Sequence, residues 1–276
     1  MKIIVLVPKL HAGAELALNK LLREKRLEIV ALVRSDISPI NKNYWKYVRY
    51  GLRKAGVFYG ALIALLAYLH LFALPIIGLF YWNRRRKWLT IDKLVERHNL
   101  KIHDTENINS EETIAWIRNL QPEVMVSLYF DQILKEEVIA VPTIAALNMH
   151  PGLLPKYRGI WPEFWNLLNN EKFAGVSVHH LKPEIDAGAV VAQKKYPIGK
   201  SQTKFSLALQ SAKHGAQLLI KTLTKMKNGV SLIPLKSEGK PKYYSLPTKE
   251  HFDSFFARGK KLFSILGLWR DFKKMF

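Results

Sequence analysis

Leu147-Asn148-Met149-His150-Pro151-Gly152-Leu153-Leu154-Pro155-Lys156-Tyr157-Arg158-Gly159 is followed, 36 residues after its histidine, by Asp186 in Glu184-Ile185-Asp186-Ala187-Gly188. The apolar run Ile144 to Met149 reads as a strand, so Asn148 and His150, two positions apart, project to the same side of an extended segment. A Leu-Leu-Pro turn and a Tyr-Arg-Gly element follow directly. Three polar residues at two fixed spacings form a far more specific signal than any one of them. A lone buried histidine beside an aspartate is more often a satisfied hydrogen-bond pair than a catalyst, and Asn148 or Asp186 alone could be a turn residue.

Working outward, Ile3 to Val7 reads as a buried strand, Ala14 to Lys25 as an amphipathic helix and Ile29 to Val33 as a second strand. This order opens a doubly wound α/β sheet. After an interruption the alternation resumes with helix Ile91 to His98, a strand near Lys101 to His103, helix Ser110 to Leu120 and strand Val124 to Ser127. Downstream come a short helix, Trp161 to Leu168, strands Gly175 to Leu181 and Val190 to Pro197, and a long helix from Thr203 to Asn228 ended by Gly229. A small β-hairpin is expected within Leu232 to Thr248. In open sheets ligands bind at the carboxyl ends of the strands, where Tyr129 and His150 fall. The turn Pro8 to Gly13 holds a single glycine, which argues against a dinucleotide cofactor there.

The Asn148-x-His150 pair, the Leu-Leu-Pro turn and the distant Asp186 resemble the catalytic signature of the folate-dependent formyltransferases. The likeness is weak over residues 1 to 35 and good over 90 to 230. It implies a Rossmann-like, mostly parallel α/β fold with an apolar helical insertion and a short C-terminal extension. It also implies 10-formyltetrahydrofolate as co-substrate, an amine acceptor and no metal. Asn148, His150 and Asp186 take the catalytic positions: an amide N–H for the developing oxyanion, an imidazolium favoured by the nearby carboxylate, and an acceptor for the amine proton. Ser127, Leu128, Tyr129, Phe130 and Ile133 match the loop that holds the pteridine ring in relatives, with His179 and Gly188 in lesser roles near the folate. The plain structural reading of that loop is a strand end with Phe130 and Ile133 in the core. Many relatives carry serine where this chain has Gly152, so one hydrogen bond to folate or acceptor is absent here. Arg158 suits an anionic group of the acceptor or a surface carboxylate. His179 and His180, neighbours on a strand, point to opposite faces and make a poor metal pair.

The 276 residues carry a net charge of +21 and no cysteine, which removes disulfides and thiolate chemistry. The charge is concentrated: Lys42 to Lys87 holds nine basic residues and no acid, and Arg258 to Lys274 holds six with only Asp271. These two segments account for +14 of the total, which disfavours nucleic acid as the partner of the remaining chain. Val57 to Trp82 has no formally charged side chain, but a single crossing would split the sheet between two sides of a membrane. Basic flanks and Pro75 point instead to a monotopic or peripheral element at a cytoplasmic membrane surface. Residues 258–276 have the profile of a basic amphipathic interfacial helix. The alternative is that the apolar helices pack on the enzyme or form a homodimer interface. The domain reading is a catalytic unit over 1–230, interrupted by an insertion at 40–88, and an extension over 231–276.

Three functions compete. The first is an N-formyltransferase acting on a small amine, aminosugar-type and lipid- or nucleotide-linked. The second is a methionyl-tRNA formyltransferase-like enzyme, for which the 46 residues after Val230 are fewer than its usual C-terminal β-rich domain needs. The third is a non-catalytic, membrane-docked binding module on the same fold.

Overall fold

The computed structural model describes residues 1–9, 11–36, 49–57, 60, 89–236 and 239–264. Most of the basic, apolar insertion and residues 265–276 lie outside them, and with them nearly all of the 57–82 segment and much of the tail assigned to a membrane surface. Among the described residues no helix is long and apolar enough to cross a membrane.

Strands β1 (Lys2–Pro8), β2 (Glu28–Ser35), β3 (Lys101–Thr105), β4 (Val124–Leu128) and β5 (Ala145–His150) form the parallel part of a seven-stranded sheet of order β3-β2-β1-β4-β5-β7-β8. Strands β7 (Phe173–His180) and β8 (Val190–Pro197) complete it in antiparallel register, with Asn148 opposite His179 and His150 opposite Ser177. This is the doubly wound α/β architecture expected from the strand and helix order.

Side chains alternate between the two faces because a strand repeats every two residues. Ile3, Val5 and Val7 join one core with Ala14, Ala17, Leu18 and Leu21 of α1 (Ala12–Leu22), Ile91 and Leu94 of α2 (Ile91–His98) and Leu219 and Leu223 of the long C-terminal helix. Ile4 and Leu6 face the opposite core, built on Ile114 and Ile117 of α3 (Glu111–Asn119) and Val138 of α4 (Glu136–Ile139). A third core holds Phe164, Trp165, Leu167 and Leu168 of α5 (Pro162–Leu168) against Val176 and Tyr196 of β7 and β8.

The long helix α6 (Lys204–Lys227) begins with a reciprocal Thr203–Ser206 capping box, which satisfies the first free N–H groups. It ends at Gly229 with φ +77°, a conformation that glycine adopts without a Cβ penalty. Its Gly215 meets β5 so closely that a Cβ there would lie 2.5 Å from the Met149 sulfur. This contact fixes the strand that carries Asn148 and His150.

Among the described residues the hairpin expected within Leu232 to Thr248 is not formed. Tyr243–Tyr244 (β9) instead pairs in parallel with Arg158–Gly159 (β6), and α7 (Lys249–Ala257) buries Phe252 and Phe255 in the third core. The pairing partner lies more than eighty residues away, beyond the reach of local turn chemistry. Ile133, read as core, is 61% exposed, while Phe130 packs against the second core.

Candidate active site

β5 delivers Asn148 and His150 to the carboxyl end of the sheet, and the β7–β8 loop brings Asp186 back over them. Asp186 adopts φ +50°, a left-handed conformation that only asparagine, aspartate and glycine visit readily. Its Oδ2 accepts the Gly159 N–H at 2.8 Å and lies 3.4 Å from His150 Nδ1. Its Oδ1 lies 3.4 Å from Asn148 Nδ2 and 3.5 Å from His179 Nε2. The three residues picked out by the resemblance therefore converge, although 38 positions separate the ends of the set.

His179 belongs to the same cluster more closely than its expected place near a folate suggests. Its Nδ1–H donates to the His180 carbonyl at 2.8 Å, so Nε2 is an acceptor and receives Asn148 Nδ2–H at 3.1 Å. The Asn148 nitrogen, His179 Nε2 and Asp186 Oδ1 form a triangle with sides of 3.1, 3.4 and 3.5 Å. The two acceptors thus lie closer in angle than the two N–H bonds of a planar amide. Both groups therefore draw on the Asn148 amide and hold it in one orientation.

His150 Nε2 is 2.6 Å from the Tyr157 carbonyl, which can only accept, so the proton of the neutral ring sits on Nε2 and the Nδ1 lone pair faces Asp186. Burial pushes the imidazole below its ordinary value, and Asp186 offsets only part of that. The expectation of a charged imidazolium is corrected accordingly: desolvation outweighs the carboxylate, and the resting ring is neutral at pH 7. Burial also opposes ionisation of Asp186, but the positive charge that His150 takes up in acid and the Gly159 N–H outweigh it and hold the carboxyl well below the usual carboxylate range.

Gly152, where serine was expected in relatives, has a local cause. A Cβ there would stand 2.7 Å from His150 Nε2 and 2.9 Å from the Tyr157 carbonyl. Gly188 is required as well, since a Cβ would fall 1.6 Å from the His180 carbonyl and 3.2 Å from His179 Nδ1. Arg158, considered for an acceptor anion, is engaged internally: it donates to the Ile185 carbonyl and to Glu184.

The 127–133 segment leaves β4 beside this cluster. Ser127 and Leu128 are buried within the strand, in register with Asn148 and Met149. Tyr129, at φ +56°, stacks on His11 with ring centroids 4.3 Å apart, and its buried hydroxyl has no hydrogen-bond partner among the described residues. Gln132 was missed from sequence. It donates to Ser35 Oγ and the Thr105 carbonyl and accepts from the Ile108 N–H, tying the loop to the ends of β2 and β3. Nothing local marks a glutamine for that task.

Residues 87–223 match the Formyl transferase family. The chain carries a formyltransferase domain. Methionyl-tRNA formyltransferase of Halothermothrix orenii (strain H 168) is 33% identical over 153 residues, which are 55% of this chain and 48% of that protein. Bifunctional polymyxin resistance protein ArnA of Wigglesworthia glossinidia brevipalpis is also 33% identical, over 49% of this chain and 20% of its own length. The chain spans about half the length of the methionyl-tRNA formyltransferases it matches and less of ArnA. Among solved structures, a sugar N-formyltransferase from Shewanella sp. FDAARGOS_354 superposes with a TM-score of 0.55 at 21% identity, covering 89% of this chain and 77% of that one. An N-formyltransferase from Helicobacter canadensis, in complex with folinic acid and dTDP-3-aminofucose, gives 0.53 at 19% identity over 89% and 71%. The formyltransferase domain therefore has the fold of these enzymes.

Proposed function

We propose that the chain is an N-formyltransferase that moves a formyl group from 10-formyltetrahydrofolate to the amine of a small, aminosugar-type acceptor carried on a nucleotide or a lipid. The observation that carries this reading is the cluster of Asn148, His150, His179 and Asp186 at the carboxyl edge of a formyltransferase domain. Catalytic roles go to Asn148, His150 and Asp186. Ser127 to Phe130, Ile133, His179 and Gly188 would line the folate side.

The donor set fits such a reaction. The folate supplies an activated formyl group; the reaction makes a C–N bond to the acceptor, breaks the one to the donor and moves one proton between the two nitrogens. Asn148, part-buried at the strand end, would offer an amide N–H to the oxygen that becomes negative, a role worth several kcal/mol when the donor is preorganised. Neutral His150 keeps its Nε2 proton on the Tyr157 carbonyl and turns its Nδ1 lone pair toward Asp186, where it can take up a proton. Asp186, already ionised, can take the acceptor's proton directly or through a water and lies where it would stabilise a transient charge on His150.

The domain reading is that residues 1–230 form the catalytic unit around an insertion at 40–88, with 231–276 as an extension. We assign the insertion and tail to a cytoplasmic membrane surface on their basic, aromatic-rich composition. Liposome flotation of the wild type against a deletion of residues 44–88 tests this; the assignment fails if both float equally or neither does. Methionyl-tRNA is the second acceptor class, favoured by the names of the more similar curated relatives. A screen of nucleotide-linked aminosugars, free aminosugars and methionyl-tRNA with 10-formyltetrahydrofolate, reading release of tetrahydrofolate, decides between them. No acceptor-dependent release from any amine would remove the proposal.

A further inference from the structure

Three consecutive residues hold both sides of the site. The Tyr157 carbonyl receives His150 Nε2–H at 2.6 Å, and the Gly159 N–H reaches Asp186 Oδ2 at 2.8 Å. Between them, Arg158 sends Nε and Nη2 to the Ile185 carbonyl at 2.9 and 2.6 Å, and Nη2 also to Glu184 Oε1 at 2.8 Å. The guanidinium therefore grips the residue immediately before Asp186. A non-glycine residue in the left-handed region is disfavoured and persists where its surroundings impose it. The Arg158 fork and the Gly159 N–H are what impose it here.

The 157–159 segment is itself held by the C-terminal extension. Arg158 N–H donates to the Lys242 carbonyl at 3.0 Å and Ile160 N–H to that of Tyr244 at 2.8 Å. The pairing is so close that Gly159, at φ +96°, could not carry a Cβ, which would lie 2.2 Å from the Tyr244 oxygen. Tyr157 and Tyr244 stack at 5.2 Å, and Asn169 Nδ2 donates to both hydroxyls. Residues 242–244 lie beyond the matched span of 87–223, yet they pin the segment that meets the catalytic cluster.

We propose that Arg158, anchored by strand β9, is a positioning residue that keeps Asp186 against His150 and Asn148. This rests on the formyltransferase reading for its effect on turnover but not for its effect on geometry. Among the described residues the titratable groups facing His150 are Asp186 and His179. If Arg158 acts through Asp186, its loss lets the carboxylate drift away and the His150 imidazole then titrates lower. If Arg158 acted only through its own positive charge, its removal would make His150 titrate higher.

The experiment follows the His150 ring by NMR in isotopically histidine-labelled wild type, Arg158→Met, Arg158→Lys and Asp186→Asn, alongside kcat, KM and Tm. Arg158→Met is expected to shift the titration downward, in the same direction as Asp186→Asn, and to lower kcat about 10- to 100-fold with the folate KM changed less than about threefold. Arg158→Lys keeps the charge but loses the planar fork, and should give a smaller shift of the same sign; it decides the matter if the methionine variant does not fold. An unchanged or upward titration overturns the proposal, as does a fall in Tm with kcat and titration intact. Should the wild type transfer no formyl group, the imidazole shift still decides the positioning role, so the two failures remain separate.

Discussion

Gly152 and His150 are matched in shape: the ring nitrogen Nε2 occupies the approach to position 152, 2.7 Å from where a Cβ would stand. Gly152→Ala or Gly152→Ser should therefore push the imidazole off the Tyr157 carbonyl, with which the same Cβ also collides. The expected cost is about 1–3 kcal/mol of stability, as for other overpacked interiors. Denaturant titration reads that loss, and a kcat at least tenfold lower should accompany it. An alanine variant as stable and as active as wild type would show that His150 does not need this space.

Asn148→Ala removes the donor to His179 and Asp186, and kcat should fall about 10²- to 10³-fold. Asn148→Asp should be worse, because a second carboxylate would stand about where the amide nitrogen now meets Asp186 and raise the pKa of one of the pair. A pH–rate profile of the aspartate variant, with its acidic limb moved upward, checks the second point.

Gln132 makes a different prediction, because it orders the loop without touching the cluster. Gln132→Ala unties the 129–133 segment from Ser35, Thr105 and Ile108. The folate KM should rise roughly tenfold while kcat at saturation changes little, the pattern of lost ground-state binding. An unchanged KM would detach this loop from the folate.

Acid should weaken the fold in two steps. Because His150 is neutral and titrates low in the folded chain, the unfolded chain binds its proton first, and stability is lost as pH falls from about 6.5 toward the lowered folded value. Asp186 behaves as a depressed carboxylate: its contribution is complete above about 3.9 and disappears as pH drops below that. His98, His180, His214 and His251 are lowered as well, so His150→Gln should flatten the upper step without abolishing it. The difference is at most ~1.4 kcal/mol per pH unit, the weight of one proton. Denaturation midpoints between pH 5 and 8 measure it.

Much of this was legible in the residues. Continuous apolar runs marked β1, β4 and β5, because these strands are buried on both faces, and the 3.6-residue period marked α1 and α6, which bury one side against the sheet. Asn148, His150 and Asp186 were legible because spacing and motif context travel with the chain. The β6–β9 pairing was not, since Tyr243–Tyr244 finds its partner through tertiary packing and carries no local hairpin signal. His150's neutrality was hidden as well: sequence shows which carboxylate can approach, whereas burial, which wins here, follows only from the surrounding fold.

Release of tetrahydrofolate from 10-formyltetrahydrofolate, measured in the presence of the best amine from the acceptor screen, tests the central claim most directly when wild type is compared with His150→Ala and Asp186→Asn. The account predicts acceptor-dependent release by the wild type and a loss of at least about 100-fold in each folded variant. Turnover by either variant at the wild-type rate would contradict it.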